Sequence, residues 1–119
     1  MRLWIRNADV VFPDGIRTAS VVVEEGRIAD IDPVHVTVAD ETIDASGLML
    51  MPGVIDDQVH FREPGLEHKE DLAHATAACA KGGVTTFLEM PNTSPTTTDR
   101  QRLEDKLRLA STRCRRNYG

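Results

Sequence analysis

The sequence predicts an α/β protein in two parts, a small β-domain followed by helices that alternate with the strands of a parallel sheet. Three observations carry this. Residues 1 to 50 repeat short apolar runs between turn residues, with no helical period. From Pro52 the order becomes strand, helix, strand, helix, which implies βαβ crossovers. Aromatic residues make up only 4% of the chain, so the core must come mainly from Val, Ile, Leu and Ala. The division is set at residues 1–52 for the β-domain and 53–119 for the βα part.

The elements follow in order. LWIRNADVVF places apolar residues at near-alternate positions and runs into the turn signal Pro13-Asp14-Gly15. SVVVEEGRIADI reads as a hairpin, Val21 to Val23 before a turn at Glu25-Gly26 and Ile28 with Ile31 after it. TIDASGLMLMPG adds a last strand after Ser46-Gly47. VIDDQVHF is a strand by its Val, Ile and Phe content and leads into the loop REPG. KEDLAHATAACAKGG is a helix, with Leu72, Ala75, Ala78 and Cys79 at helical spacing and an end marked by Lys81 and Gly82-Gly83. VTTFLEM is the next strand, stopped by Pro91. Thr98 and Gln101 form a capping-box pattern for a second helix with Leu103, Leu107 and Ala110 on one face. A further strand is expected to start at Asn117-Tyr118-Gly119.

Composition excludes several classes. Hydrophobic residues at 40% and charged residues at 28% fit a folded chain rather than a disordered one. A net charge of −5 argues against nucleic-acid binding, and the basic cluster Arg113, Arg115 and Arg116 reads as a solvated helix end. No run approaches the ~20 apolar residues of a membrane span, and the N-terminus lacks a signal core. Cys79 and Cys114 stand apart without a CxxC or Cys/His cluster, as reduced thiols in a cytoplasmic protein.

The residues with chemical potential begin at Gln58-Val59-His60-Phe61-Arg62. If this segment stays extended, Gln58, His60 and Arg62 share one face. At the C-terminal end of a parallel strand, where ligand sites gather, His60 suits metal ligation and Arg62 suits a bidentate grip on a carboxylate. A polar strand end exposed to water is the plain alternative.

The run MPGVIDDQVHFREPGLEHKEDL resembles the amidohydrolase signature PG(x)IDxHxH with the REPG extension of dihydroorotases. GGVTTFLEMPNTSPTT resembles the second dihydroorotase signature, in which a strand ends in MPNT. The turn-rich N-terminal strands look like the β-domain, an incomplete β-sandwich here, that precedes the barrel in that superfamily. The resemblance is strong from residue 48 to 98 and looser outside. It implies the first two βα units of a (β/α)8 metal-dependent hydrolase barrel, one or two zinc ions, and interconversion of dihydroorotate and N-carbamoyl-aspartate in pyrimidine biosynthesis. By position, His60 matches a metal ligand, while Arg62 and Asn92 match the pair that holds the substrate carboxylate. The resemblance also implies a homo-oligomer, with aspartate transcarbamoylase as a possible partner.

One departure weakens the metal site. Gln58 stands where the family's first metal histidine belongs, and a carboxamide is a weaker zinc ligand than imidazole. Asp56 matches the signature's aspartate, read as structural, and Asp57 is an alternative ligand. His68 reads as a loop histidine, His74 as a helix-surface residue and His35 as an exposed strand residue. Glu63 and Glu89 match no catalytic position, and Pro64, Gly65, Pro91 and Pro95 shape loops.

A full barrel takes about 250 residues, and residues 53 to 119 fall far short of that. The family's bridging lysine, later histidines and catalytic aspartate have no counterpart here, so no catalytic residue is assigned. The expectation is an N-terminal fragment, poorly stable and inactive alone. Two alternatives stand beside it: a non-catalytic partner of aspartate transcarbamoylase, favoured by Gln58, and a hydantoinase or allantoinase relative acting on a neutral ring.

Overall fold

Two tight turns fold residues 2 to 31 into a three-stranded meander. Strand β1 (Arg2–Phe12) pairs antiparallel with β2 (Gly15–Glu24), closed by a loop of Pro13 and Asp14. Strand β3 (Arg27–Ile31) pairs with β2 across Glu25 and Gly26, whose φ angles of 49° and 74° are both left-handed. That is the turn whose twist matches a hairpin, and Gly26 enters it without a Cβ penalty. The computed structural model describes residues 1–35 and 38–119, in two units, Met1–Pro52 and Gly53–Gly119.

In the first unit, β4 (Glu41–Asp44) and β5 (Met49–Leu50) each add to β1 in parallel. The result is one mixed sheet of order β3-β2-β1-β4, with β5 also on β1. Ala8, Val10, Ala19, Val21 and Ala45 form its buried cluster, flanked by Ile5, Phe12, Val23 and Leu50. Small side chains dominate it, as the scarcity of aromatics requires. His35 is exposed in irregular chain, not on a strand. The strand before it ends at Ile31 because Asp32 takes a left-handed φ of 54° and turns its carboxylate onto the Ser20 N–H at 2.8 Å.

The second unit is a three-stranded parallel sheet, β6 (Val54–Val59), β7 (Val84–Glu89) and β8 (Asn117–Tyr118). Helix α1 (Leu72–Gly82) links β6 to β7, and α2 (Arg100–Arg113) links β7 to β8. Asp71 caps α1 by accepting from the His74 N–H, and Gly83 closes it at φ 83°. The cap of α2 is Asp99, which accepts from the Arg102 N–H, and not Thr98. The Thr98 hydroxyl instead accepts from the Arg102 guanidinium, so the carboxylate one residue later takes the orphan amide.

Phe87 and Leu72, each 1% exposed, centre this unit's core, with Val59, Ala75, Thr76 and Ala110. Phe61 meets Phe87 edge-on at 4.8 Å between ring centres. Of the apolar face expected on α2, only Ala110 is buried; Leu103 and Leu107 remain 49% and 40% exposed beside an apolar cavity of about 410 Å³. Among the described residues, no helix is long and apolar enough to cross a membrane.

Candidate active site

The C-terminal ends of β6 and β7 lie side by side, because the strands run parallel, and each continues into a polar loop. The β6 loop carries His60, Arg62, Glu63 and Gly65; the β7 loop carries Asn92, Thr93 and Ser94. Parallel α/β folds gather ligand sites at the C-terminal ends of their strands, where the loops that leave neighbouring strands converge.

His60 and Asn92 meet. The Nδ1 of His60 lies 2.9 Å from Oδ1 of Asn92, and both side chains are exposed to solvent. An amide oxygen only accepts, so Nδ1 must carry the hydrogen. The ring's other nitrogen, Nε2, keeps its lone pair. Asn92 keeps both amide hydrogens free to donate. The contact therefore leaves one lone pair and two donors available to a ligand.

Arg62 lies at the start of the same loop, half-buried, in a left-handed conformation with φ 65°. That conformation is uncommon for a residue with a Cβ and concentrates at functional loops. The extended run on which a common face for Gln58, His60 and Arg62 depended ends at Val59. The register with β7 also slips between Asp56 and Val59, where β6 carries an extra residue. Asp56 is the physical cause: its carboxylate accepts the Gln58 N–H at 3.1 Å and takes that amide out of the ladder. Simple alternation thus does not place Arg62.

Gln58 and Asp57 are exposed, and Asp56 is half-buried. Among the described residues no group of three or more His, Cys, Asp or Glu side chains converges on a metal-sized space. One imidazole and a carboxamide fall short of the ligands of a zinc site, so these residues do not hold a metal by themselves.

Glu63 and Glu89, which match no catalytic position of the family by sequence, hold structural contacts. Glu63 is 3% exposed; its Oε2 accepts the Leu72 N–H at 2.8 Å and its Oε1 receives Arg113 at 2.6 Å. Arg113 is therefore not simply a solvated helix end. Glu89 is paired with Lys106 of α2, and its Oε1 accepts the Phe61 N–H at 3.1 Å. Burial pushes the Lys106 ammonium below the usual lysine range. Neither partnership is visible in local sequence, although an acidic residue in an otherwise apolar strand end, as in FLEM, is the one available hint.

The loops also touch directly. The Ser94 N–H donates to the Pro64 carbonyl at 2.9 Å, and Gly65 sits so close that a Cβ there would fall 1.9 Å from the Ser94 carbonyl oxygen. Buried Thr93 braces the second loop, its hydroxyl donating to the Pro95 carbonyl at 2.9 Å. His68 is exposed in the loop, and His74 is exposed on α1, 2.6 Å from the Asp71 carboxylate. Burial raises the Cys79 thiol and pushes Cys114 up to about 11, so neither offers a thiolate nucleophile near neutral pH.

Residues 47–117 match the family model described as dihydro-orotase-like. An allantoinase of Deinococcus radiodurans is 43% identical over 118 residues, covering 98% of this chain and 26% of that protein. A dihydroorotase of Methanosarcina acetivorans is 40% identical over 109 residues, covering 91% of this chain and 23% of that protein. Among solved structures, L-hydantoinase (dihydropyrimidinase) from Arthrobacter aurescens superposes with a TM-score of 0.86 at 34% identity, covering 98% of this chain and 26% of that one. The chain spans about a quarter of the length of these relatives.

Proposed function

The chain belongs to the dihydro-orotase-like family, and from that premise we propose that it supplies the carboxylate-binding edge of a hydrolase that interconverts dihydroorotate and N-carbamoyl-aspartate. The second unit is then the opening of a (β/α)8 barrel, and the protein works in cytoplasmic pyrimidine biosynthesis. The observation that carries the reading is the 2.9 Å contact of His60 with Asn92 at the shared edge of two parallel strands, with Arg62 on the same loop as His60.

The division of labour follows from the atoms. Arg62 offers a fixed fork of donors to the ring's carboxylate, worth more there than a lysine would be. Asn92, with its oxygen engaged by His60, turns two N–H donors toward the same anion. His60 presents Nε2 as one ligand for zinc, which when bound would polarise the ring carbonyl. The other ligands would have to come from sequence outside these 119 residues, and Gln58 makes the site weaker than one built on two imidazoles. Assembly as a homo-oligomer, alone or with aspartate transcarbamoylase, belongs to the same proposal.

A second reading has its own support. The 43% identity to an allantoinase and the structural likeness to a hydantoinase favour a ring without a carboxylate. Arg62 separates the two, since a neutral ring gives its charge no partner. The test is turnover by the full-length protein of dihydroorotate, hydantoin and allantoin side by side. A clear preference for dihydroorotate is the expected result; preference for either neutral ring would overturn it.

A further inference from the structure

We propose that Glu89 and Lys106 form a positioning strut that sets the spacing between the two loops of the candidate site, a role that rests on the assignment of His60, Arg62 and Asn92 to that site. The pair is almost wholly buried, with side-chain exposures of 5% for Glu89 and 10% for Lys106. Each partner also reaches the backbone of one loop. Glu89 Oε1 accepts the Phe61 N–H at 3.1 Å, and Phe61 lies between His60 and Arg62. Lys106 Nζ donates to the Met90 carbonyl at 2.9 Å, two residues before Asn92. The Met90 N–H in turn donates to the Val59 carbonyl at 2.9 Å, next to His60. One ion pair therefore holds both chain segments from which the His60–Asn92 contact is made.

Stability alone does not account for this arrangement. Removing two charges from water costs several kcal/mol per ion, and well-packed apolar residues of similar volume are often as stable or better. What apolar residues cannot do is fix a distance. Charged hydrogen bonds are short and directional, and here they end on two backbone groups that precede or flank site residues. A leucine at either position would fill the volume and leave the Phe61 amide or the Met90 carbonyl without its partner. Glu89 is excluded as a catalytic base by the same contacts, since its carboxylate is spent on an ammonium and an amide. It and Lys106 act through the loops, not on a substrate.

Hydrogen exchange of the full-length protein, read by mass spectrometry, tests the strut without reference to activity. In Lys106→Met, segments 59–66 and 89–97 should exchange about tenfold faster, because the Met90 carbonyl loses its charged donor and Glu89 loses the ion pair that holds it against the Phe61 amide. Rates in α1 and in the body of β6 and β7 should hold, and Lys106→Arg should restore protection. Glu89→Gln keeps an oxygen for Phe61 and should loosen 59–66 less than Glu89→Leu does. Should Lys106→Met fail to fold, the paired Glu89→Leu/Lys106→Met variant leaves no lone buried charge and takes its place. Unchanged exchange in both loops, or a rise spread evenly through the strands and helices, would overturn the proposal. Failure of the wild-type protein to hydrolyse dihydroorotate would sink the substrate assignment while leaving this readout intact, so the two failures can be told apart.

Discussion

Glu63 and Arg113, fifty residues apart in the chain, meet at 2.6 Å, the carboxylate buried and the guanidinium half exposed. The same carboxylate takes the first amide of α1, so a single side chain ties the β6 loop to the start of one helix and the end of the other.

Two substitutions of Glu63 should therefore cost unequal amounts. Glu63→Ala orphans the Leu72 amide and frees Arg113, an expected loss of about 2–3 kcal/mol. Glu63→Gln keeps an acceptor for Leu72 and should lose about 1 kcal/mol. Urea unfolding midpoints check the order, and equal losses in the two variants would contradict it.

Gly65 has no room for a side chain and takes a φ of 86°. Gly65→Ala drives a methyl group into the Ser94 carbonyl and strains the backbone as well. A loss of more than about 2 kcal/mol is expected. A melting temperature within a degree or two of the parent would show that the two loops do not abut as described.

The Cys114 thiol carries a pH dependence whose sign is fixed. Its folded value of about 11 lies above the ordinary 9.0, so the neutral thiol is the form the fold favours. Burial is the first cause, with Glu63 and Cys79 adding to it. The stabilising effect is complete below pH 9 and is lost as the pH climbs from 9 through 11, because the unfolded chain gives up its proton first. The unfolding midpoint should fall across that window, and Cys114→Ala should flatten the fall. Folded Cys114 should also react slowly with iodoacetamide at pH 8 and quickly in urea.

Arg62→Leu and Asn92→Ala in the full-length protein separate the anionic substrate from a neutral one. For dihydroorotate, losing the Arg62 charge should cost on the order of 2–5 kcal/mol in kcat/KM. Asn92→Ala should cost less, because it removes neutral donors. Turnover of a neutral ring by Arg62→Leu should stay near the parent's. Parallel losses on both substrate types would mean that Arg62 does not meet a carboxylate.

The 119-residue chain by itself should neither hydrolyse dihydroorotate nor retain zinc through gel filtration, since one imidazole at the loop edge cannot close a zinc site. Zinc-stimulated turnover by this chain would refute the ligand count directly.

Much of the secondary structure was legible because its signals are short-range. Pro13-Asp14 and Glu25-Gly26 announce hairpins through their own backbone preferences, and Lys81 with Gly82-Gly83 marks the end of α1. The α2 cap was misplaced by one residue because Thr98 and Asp99 both accept an amide, and the carboxylate won. The alternation through Gln58, His60 and Arg62 failed for a similar reason: Asp56 draws the Gln58 amide out of the ladder, a competition that residue spacing does not record.

By itself, then, the sequence determined the order of strands and helices, because turns, caps and apolar periods act over a few residues, and it pointed to the family through REPG and MPNT. Tertiary structure alone decided that Glu63 meets Arg113, that Glu89 meets Lys106, and that Asn92 takes up His60. Those pairings arise from stacking parallel strands beside one helix, which brings together side chains far apart in the chain; in the two ion pairs burial then selects partners whose charges and donors can satisfy each other, while His60 and Asn92 meet in the open because two strand ends lie side by side.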